Sequence, residues 1–258
     1  MVSFKENWQK IVVIKKSILC AGLDPAEYAM GRTEKGEGLP PGKNKRDWAL
    51  KYIEAVAPFC AAIKPNMRYW GRGNDLETIG EIVNLAHDKG LIVIQDSKEA
   101  DIGNTNDAGI FYASLKGADA VTIAPYAGNM EEAAKQGKDR GIGLVTMCLM
   151  SNPEYEKIKN SWVDVSDNRS NYDSRHIKEI DGIHHVRKYI QLASDAKRFG
   201  IEGIVVGAPS PKNHLKEEEI ENVARYFGRE GLILVPGIGA QGGEANLLSK
   251  YFNTNTLI

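Results

Sequence analysis

Seven short apolar runs alternate with amphipathic stretches, and no other feature constrains the fold of this chain as strongly. The runs lie at 17–23, 61–65, 91–98, 120–124, 143–149, 203–206 and 232–236. Between them, apolar residues recur at helical spacing over 48–58, 75–89, 106–116, 130–138, 183–199, 215–227 and 245–252. The runs are rich in β-branched residues and apolar on both faces, as in a parallel sheet covered on both sides. Strand–helix repetition predicts right-handed βαβ units. Seven strands, with an eighth beginning at Thr256-Leu257-Ile258, fit a doubly wound open sheet or a (β/α)8 TIM barrel. Charged and Gly-rich motifs follow many of the strand ends. A closed ring brings such ends to one mouth, so a barrel formed by a single domain over 1–258 is the expected fold.

Two segments break the rhythm. Residues 32–45 are rich in Gly, Pro, Glu and Lys, and 151–181 in Asn, Asp, Ser and Tyr. Both are expected as loop insertions, either lids over a site or tolerated surface additions. The run Lys216-Glu217-Glu218-Glu219 reads as a solvated helix start.

Composition removes several function classes. A net charge of −1 argues against a non-specific nucleic-acid binder. Cys20, Cys60 and Cys148 are far apart in apolar stretches, which predicts buried free thiols in a reducing compartment. The N-terminus lacks a signal-peptide pattern, and no apolar run is long enough to span a bilayer, so a cytoplasmic protein without membrane contact is expected. His87, His176 and His214 have no acidic or Cys partner at ligand spacing, and His184-His185 lies near a predicted helix start. No metal site is expected from them.

Chemistry concentrates where 91–98 runs from apolar residues into Asp96-Ser97-Lys98-Glu99-Ala100-Asp101. Strand alternation puts Asp96 and Lys98 on one face. Lys64 ends the run Ala61-Ala62-Ile63 and precedes Pro65, which keeps it extended. Asp24 ends the first run, so three strand ends each present an ionisable group. Thr105 is expected to cap the following helix. Downstream, Pro236-Gly237-Ile238-Gly239-Ala240-Gln241-Gly242-Gly243 follows a strand and opens a helix, a place where backbone amides favour an anion.

These residues resemble the orotidine 5′-phosphate decarboxylase family. Asp96-Ser97-Lys98-Glu99-Ala100-Asp101-Ile102-Gly103-Asn104-Thr105 is similar to its DxKxxDIxxT signature. Gly22-Leu23-Asp24-Pro25 and Ile63-Lys64-Pro65-Asn66 resemble its first two strand ends, and 236–243 its phosphate loop. The resemblance implies decarboxylation of orotidine 5′-monophosphate to UMP in de novo pyrimidine biosynthesis, without cofactor or metal. It implies that Lys98 protonates C6, that Asp96 lies beside the departing carboxylate, and that Lys64 orders Asp96 and contacts the ribose. Asp24 would bind a ribose hydroxyl, and Ser151 the pyrimidine amide edge, although the register leaves Thr146 or Cys148 as alternatives. Pro236, Gly239, Gln241 and Gly242 would hold the phosphate, with Gln241 reaching over the base. Asp101, Ile102 and Thr105 would act in the neighbouring subunit's site, which implies a homodimer.

The family pattern continues past the eighth strand into a Gly-Arg pair whose arginine grips the phosphate. With Ile258 as the final residue given, the eighth strand and last helix are expected to be cut short, the natural protein carrying a further C-terminal segment. Two rival functions stay open: a magnesium-dependent sugar-phosphate decarboxylase or aldolase of the same superfamily, and a non-catalytic nucleotide-binding barrel.

Overall fold

A computed structural model describes residues 2–27, 39, 42–71, 74–236 and 246–258. They form two compact units, Met1–Leu144 and Val145–Ile258.

The first unit opens on a helix that the strand–helix pattern did not include, α1 (Phe4–Lys15). Ser3 and Glu6 make a reciprocal capping box: the Glu6 N–H donates to Ser3 Oγ at 3.2 Å and the Ser3 N–H to Glu6 Oε2 at 2.9 Å. That Ser-x-x-Glu spacing was available in the sequence as a helix-start signal. Trp8 is fully buried, and Phe4 packs so closely on Gly143 that a Cβ there would lie 2.4 Å from it. The chain then runs through β1 (Cys20–Leu23), α2 (Lys45–Val56), β2 (Ala62–Pro65), α3 (Asp75–Asp88), β3 (Ile92–Glu99), α4 (Gly103–Leu115), β4 (Ala120–Ile123) and α5 (Met130–Arg140). Strands β1 to β4 pair side by side in chain order, all parallel. On α3 the buried apolar residues are Ile79, Ile82, Val83 and Ala86, the i, i+3, i+4, i+7 stripe of an amphipathic helix. They share a core with Ile53 of α2, Ile63 of β2 and Val93 of β3. Each such isoleucine or valine side chain contributes roughly 1.5–3 kcal/mol on burial. Thr105 does not cap α4. The helix begins at Gly103, and its N-cap, Ile102, makes no side-chain cap bond.

The second unit carries β5 (Gly143–Leu149), most of whose residues lie in it, and then α6 (Tyr155–Lys159), β6 (Trp162–Asp164), β7 (Lys178–Ile180), β8 (Ile183–Arg187), α7 (Lys188–Phe199), β9 (Gly203–Val206), α8 (Glu217–Phe227), β10 (Leu232–Leu234) and α9 (Asn246–Tyr251). Strand β9 pairs in parallel with both β5 and β10. Leu257 forms a parallel bridge with Ile233, and the Ile258 N–H donates to Ile233 O at 2.8 Å. Residues 257–258 thus lie along β10, where the eighth strand was expected to start.

The 151–181 insertion is not a loop. It contains α6 and supplies β6 and β7 to a three-stranded antiparallel sheet completed by β8. Residues 183–187, expected as the start of a helix over 183–199, are therefore a strand. Asp181 and Gly182 turn the hairpin with φ of 53° and 79°. Positive φ at both central residues is what a tight type I′ hairpin requires, and Asp-Gly is its usual sequence. The helical spacing of 183–199 was real from Lys188 onward, but pairing on both edges of β8 decides its first five residues.

The acidic run at the start of α8 is also only partly solvated. Glu219 is 7% exposed and pairs with Lys159, itself 1% exposed, at 2.6 Å. Lys159 Nζ also donates to His214 O at 2.8 Å, and the Lys216 N–H to Glu219 Oε2 at 2.9 Å. The insertion is thereby tied to the loop before α8. Of the 32–45 segment, residues 32–38, 40 and 41 lie outside the described residues. Among the described residues, no helix is long and apolar enough to cross a membrane.

Candidate active site

Asp96 is the centre of the site in the first unit. Strand β3 is flanked on both sides and buries Ile92 through Ser97, so Asp96 is 6% exposed. A lone carboxylate at such depth would be strongly disfavoured. Lys64, at the end of β2, donates to Asp96 Oδ2 at 2.9 Å, and Lys98 donates to Oδ1 at 2.6 Å. Burial pushes the Asp96 carboxyl up, but Lys64 and Lys98 outweigh it and hold it below the ordinary aspartate value. Burial likewise pushes Lys64 down, while Asp96, with Asp24 adding to it, holds its ammonium above the ordinary lysine value. The arrangement is a buried carboxylate clamped between two ammonium groups. It provides fixed charge and a proton donor in one place.

The meeting of Asp96 and Lys98 does not come from simple alternation. The β3–β4 register shifts between Gln95 and Glu99, and Lys98 has φ of +52°. An irregularity of this kind re-aims a side chain, here folding Lys98 back toward the residue two before it. Thr122 of β4 stands at the irregularity: its hydroxyl lies 3.0 Å from Asp96 Oδ1 and 2.9 Å from the Lys98 N–H. Sequence reasoning missed Thr122, because nothing local to Ala120–Ile123 distinguishes it from an ordinary strand threonine.

Asp24, exposed at the end of β1, accepts from Asn66 Nδ2 at 3.3 Å. Asn66 in turn bridges Asp96 through the backbone, so the ends of β1, β2 and β3 are linked. Arg68, two residues on, donates to Ser97 O at 3.2 Å. Trp70 is buried, its indole N–H on Leu23 O, and packs the loop rather than facing a ligand.

Asp101, Ile102 and Thr105 are all exposed. Asp101 Oδ1 accepts from the Ile102 N–H at 2.8 Å, and Asp101 O accepts from Asn129 Nδ2 at 2.9 Å. Asn129, buried Asn106 and Gln136 form a polar network with Gly103 O that fixes this turn. The structure thus brings together Lys64, Asp96 and Lys98, with Asp24 at hand. It holds Asp101 to Thr105 as a separate, outward-facing element.

In the second unit, Ser151 follows β5 and is half-buried. Of the register alternatives, Thr146 is fully buried within β5, and Cys148 Sγ faces Tyr189 O of α7. Burial pushes the Cys148 thiol up to about 12, so it stays protonated. Gly207 lets the β9 end approach Ser151: a Cβ at 207 would meet Ser151 Cβ at 2.8 Å. Pro236 is described and half-buried, whereas Gly239, Gln241 and Gly242 lie outside the described residues.

A family model described as orotidine 5′-phosphate decarboxylase / HUMPS family matches residues 17–251, a span that includes most of both units. The chain belongs to that family. It is 29% identical over 252 residues to the orotidine 5′-phosphate decarboxylase of Halobacterium salinarum, covering 97% of this chain and 83% of that one. With the enzyme of the same name from Rhodopirellula baltica it shares 27% over 272 residues, covering 99% and 84%. The solved structure of Leishmania donovani OMP decarboxylase superposes with a TM-score of 0.68 at 21% identity, covering 97% of this chain and 84% of that one. That likeness shows the fold: an α/β chain of the family's TIM-barrel class, as the spread of motifs over many strand ends predicted.

Proposed function

We propose that the protein decarboxylates orotidine 5′-monophosphate to UMP in pyrimidine biosynthesis. The observation that carries this reading is Asp96 held between Lys64 and Lys98. In the reaction the C6–carboxylate bond breaks, CO2 leaves, and its bonding electron pair stays on C6. The Lys98 ammonium gives a proton to that carbon and is left as an amine, to be reprotonated from solvent. Preorganised charge is the usual largest catalytic contribution in such a site, because it needs no reorganisation as charge develops. Lys64 keeps Asp96 ionised and in place, and Asp24 with Asn66 offers hydrogen bonds to a ribose hydroxyl. Ser151 is assigned to the pyrimidine edge, and Pro236, Gly239, Gln241 and Gly242 to the phosphate, on the family's sequence pattern.

The magnesium-dependent rival shares the Asp-x-Lys-x-x-Asp core. Both oxygens of Asp96 already face ammonium groups, an arrangement that repels a divalent cation. The test is loss of orotidine monophosphate absorbance in a buffer with EDTA and no added metal. Undiminished turnover is expected. Turnover that vanishes with EDTA would mark a metal-dependent mechanism, absence of turnover and of UMP binding would favour the sugar-phosphate class, and UMP binding with no turnover a non-catalytic barrel.

Asp101, Ile102 and Thr105 are assigned to the site of a second copy, in a homodimer. Their exposure, with Ile102 60% exposed, supports that reading. Mixing Lys98→Ala with Asp101→Ala after subunit exchange is expected to restore about a quarter of wild-type activity. In hybrids, one of two sites escapes both substitutions, and about half of exchanged dimers are hybrids. Exchanged mixtures as inactive as either parent would remove the shared-site assignment.

A further inference from the structure

We propose that Thr122 is a positioning residue for this reaction, setting the geometry of both Asp96 and Lys98 through one hydroxyl. The inference rests on the decarboxylase reading above and adds to it a residue on the neighbouring strand. Thr122 is fully buried on β4. Its two hydrogen-bond partners leave no freedom in how the hydroxyl is used. The Lys98 backbone N–H can only donate, so Oγ1 accepts there, at 2.9 Å. The ionised Asp96 carboxylate can only accept, so the hydroxyl proton points at Oδ1, at 3.0 Å.

Each bond has a separate consequence. The first holds an unusual backbone. Lys98 sits at φ +52° where the β3–β4 register shifts, and its N–H is bound by the Thr122 side chain instead of a strand carbonyl. A non-glycine residue in that conformation persists only when its surroundings hold it there. It is the conformation that turns Lys98 Nζ back to within 2.6 Å of Asp96. The second bond acts on the carboxylate during the chemistry. Lys98 and Thr122 share Oδ1, while Lys64 holds Oδ2. When Lys98 gives up its proton it loses the charge that attracted Oδ1. Thr122 keeps its own proton and its bond, so that end of Asp96 stays fixed through the step.

The experiment compares Thr122→Val, which keeps shape but loses the hydroxyl, with Thr122→Ser, which keeps the hydroxyl. Steady-state decarboxylation, UMP affinity and thermal midpoints are measured for both. Thr122→Val is expected to lower kcat by about 10²-fold, the scale for removing one preorganised donor. UMP affinity should stay within about threefold, because the positioned groups act on the reacting centre. Thr122→Ser is expected to recover kcat to within about fivefold of wild type, a rescue that a purely packing role for the threonine would not produce. A Thr122→Val enzyme with near-wild-type kcat, or a serine variant as slow as the valine one, would overturn the inference. If the valine protein does not fold, Thr122→Ala takes its place with the same expectations. Wild-type protein in the same assay separates the two readings: no turnover there defeats the decarboxylase assignment, whereas normal turnover with an unaffected valine variant defeats only the role of Thr122.

Discussion

Lys98→Ala is expected to abolish decarboxylation while UMP still binds. The expected loss in kcat is at least about 10⁴-fold, because on the proposed mechanism the substitution removes the proton donor together with a charge that compensates Asp96. Among the described residues, Asp96 then keeps Lys64 and the Thr122 hydroxyl at its oxygens. Binding is expected to be spared because the proposal assigns Lys98 to C6 and affinity to ribose, base and phosphate contacts elsewhere. Single-turnover decarboxylation and UMP titration measure the two effects separately. Turnover within tenfold of wild type would defeat the assignment of Lys98 as the acid. Loss of UMP binding together with turnover would mean that Lys98 holds the ligand rather than acting on the transition state.

Lys159→Met is the second large effect, and it falls on stability. Lys159 and Glu219 are both buried and bonded at 2.6 Å, in the second unit and away from the Asp96 network in sequence. Methionine fills a similar volume but leaves Glu219 buried beside the Lys216 amide and without the Lys159 counter-charge. Breaking such a pair from one side costs about 3–5 kcal/mol. For a chain of this size that lowers Tm by on the order of 10 °C. Removing both charges, as Lys159→Met with Glu219→Leu, should recover most of the loss. Apolar replacements of a buried pair are often close to neutral, apart from about 1 kcal/mol for the lost bond at the start of α8. Urea denaturation of the two variants measures the difference. A single variant within 1 kcal/mol of wild type would show that the pair is not buried in solution as it is here.

These effects mark where sequence reading succeeded and where it stopped. Lys64, Asp96 and Lys98 were legible because an apolar run that ends in charge places the charged groups at a strand end. The three do meet. Asp24 was legible in the same way, and Asn66, its partner, lies in the Ile63-Lys64-Pro65-Asn66 strand end. Thr122 was not legible, since its role is a contact across strands 26 residues from Asp96. The helix start at Gly103 was missed for the opposite reason. A good cap residue, Thr105, stood nearby, but the network of Asn106, Asn129 and Gln136 ties the turn two residues earlier.

By itself, the sequence determined the parallel βα alternation, the order of the strand ends and the identity of the clustered charges. Those features follow from local periodicity, which a strand or helix expresses wherever it sits. Tertiary structure alone decided the rest: the irregularity that folds Lys98 back on Asp96, the hydroxyl that holds it there, the hairpin inside 151–181 and the burial of Lys159 with Glu219. Each depends on partners distant in the chain. A buried polar group has to find such a partner or destabilise the fold.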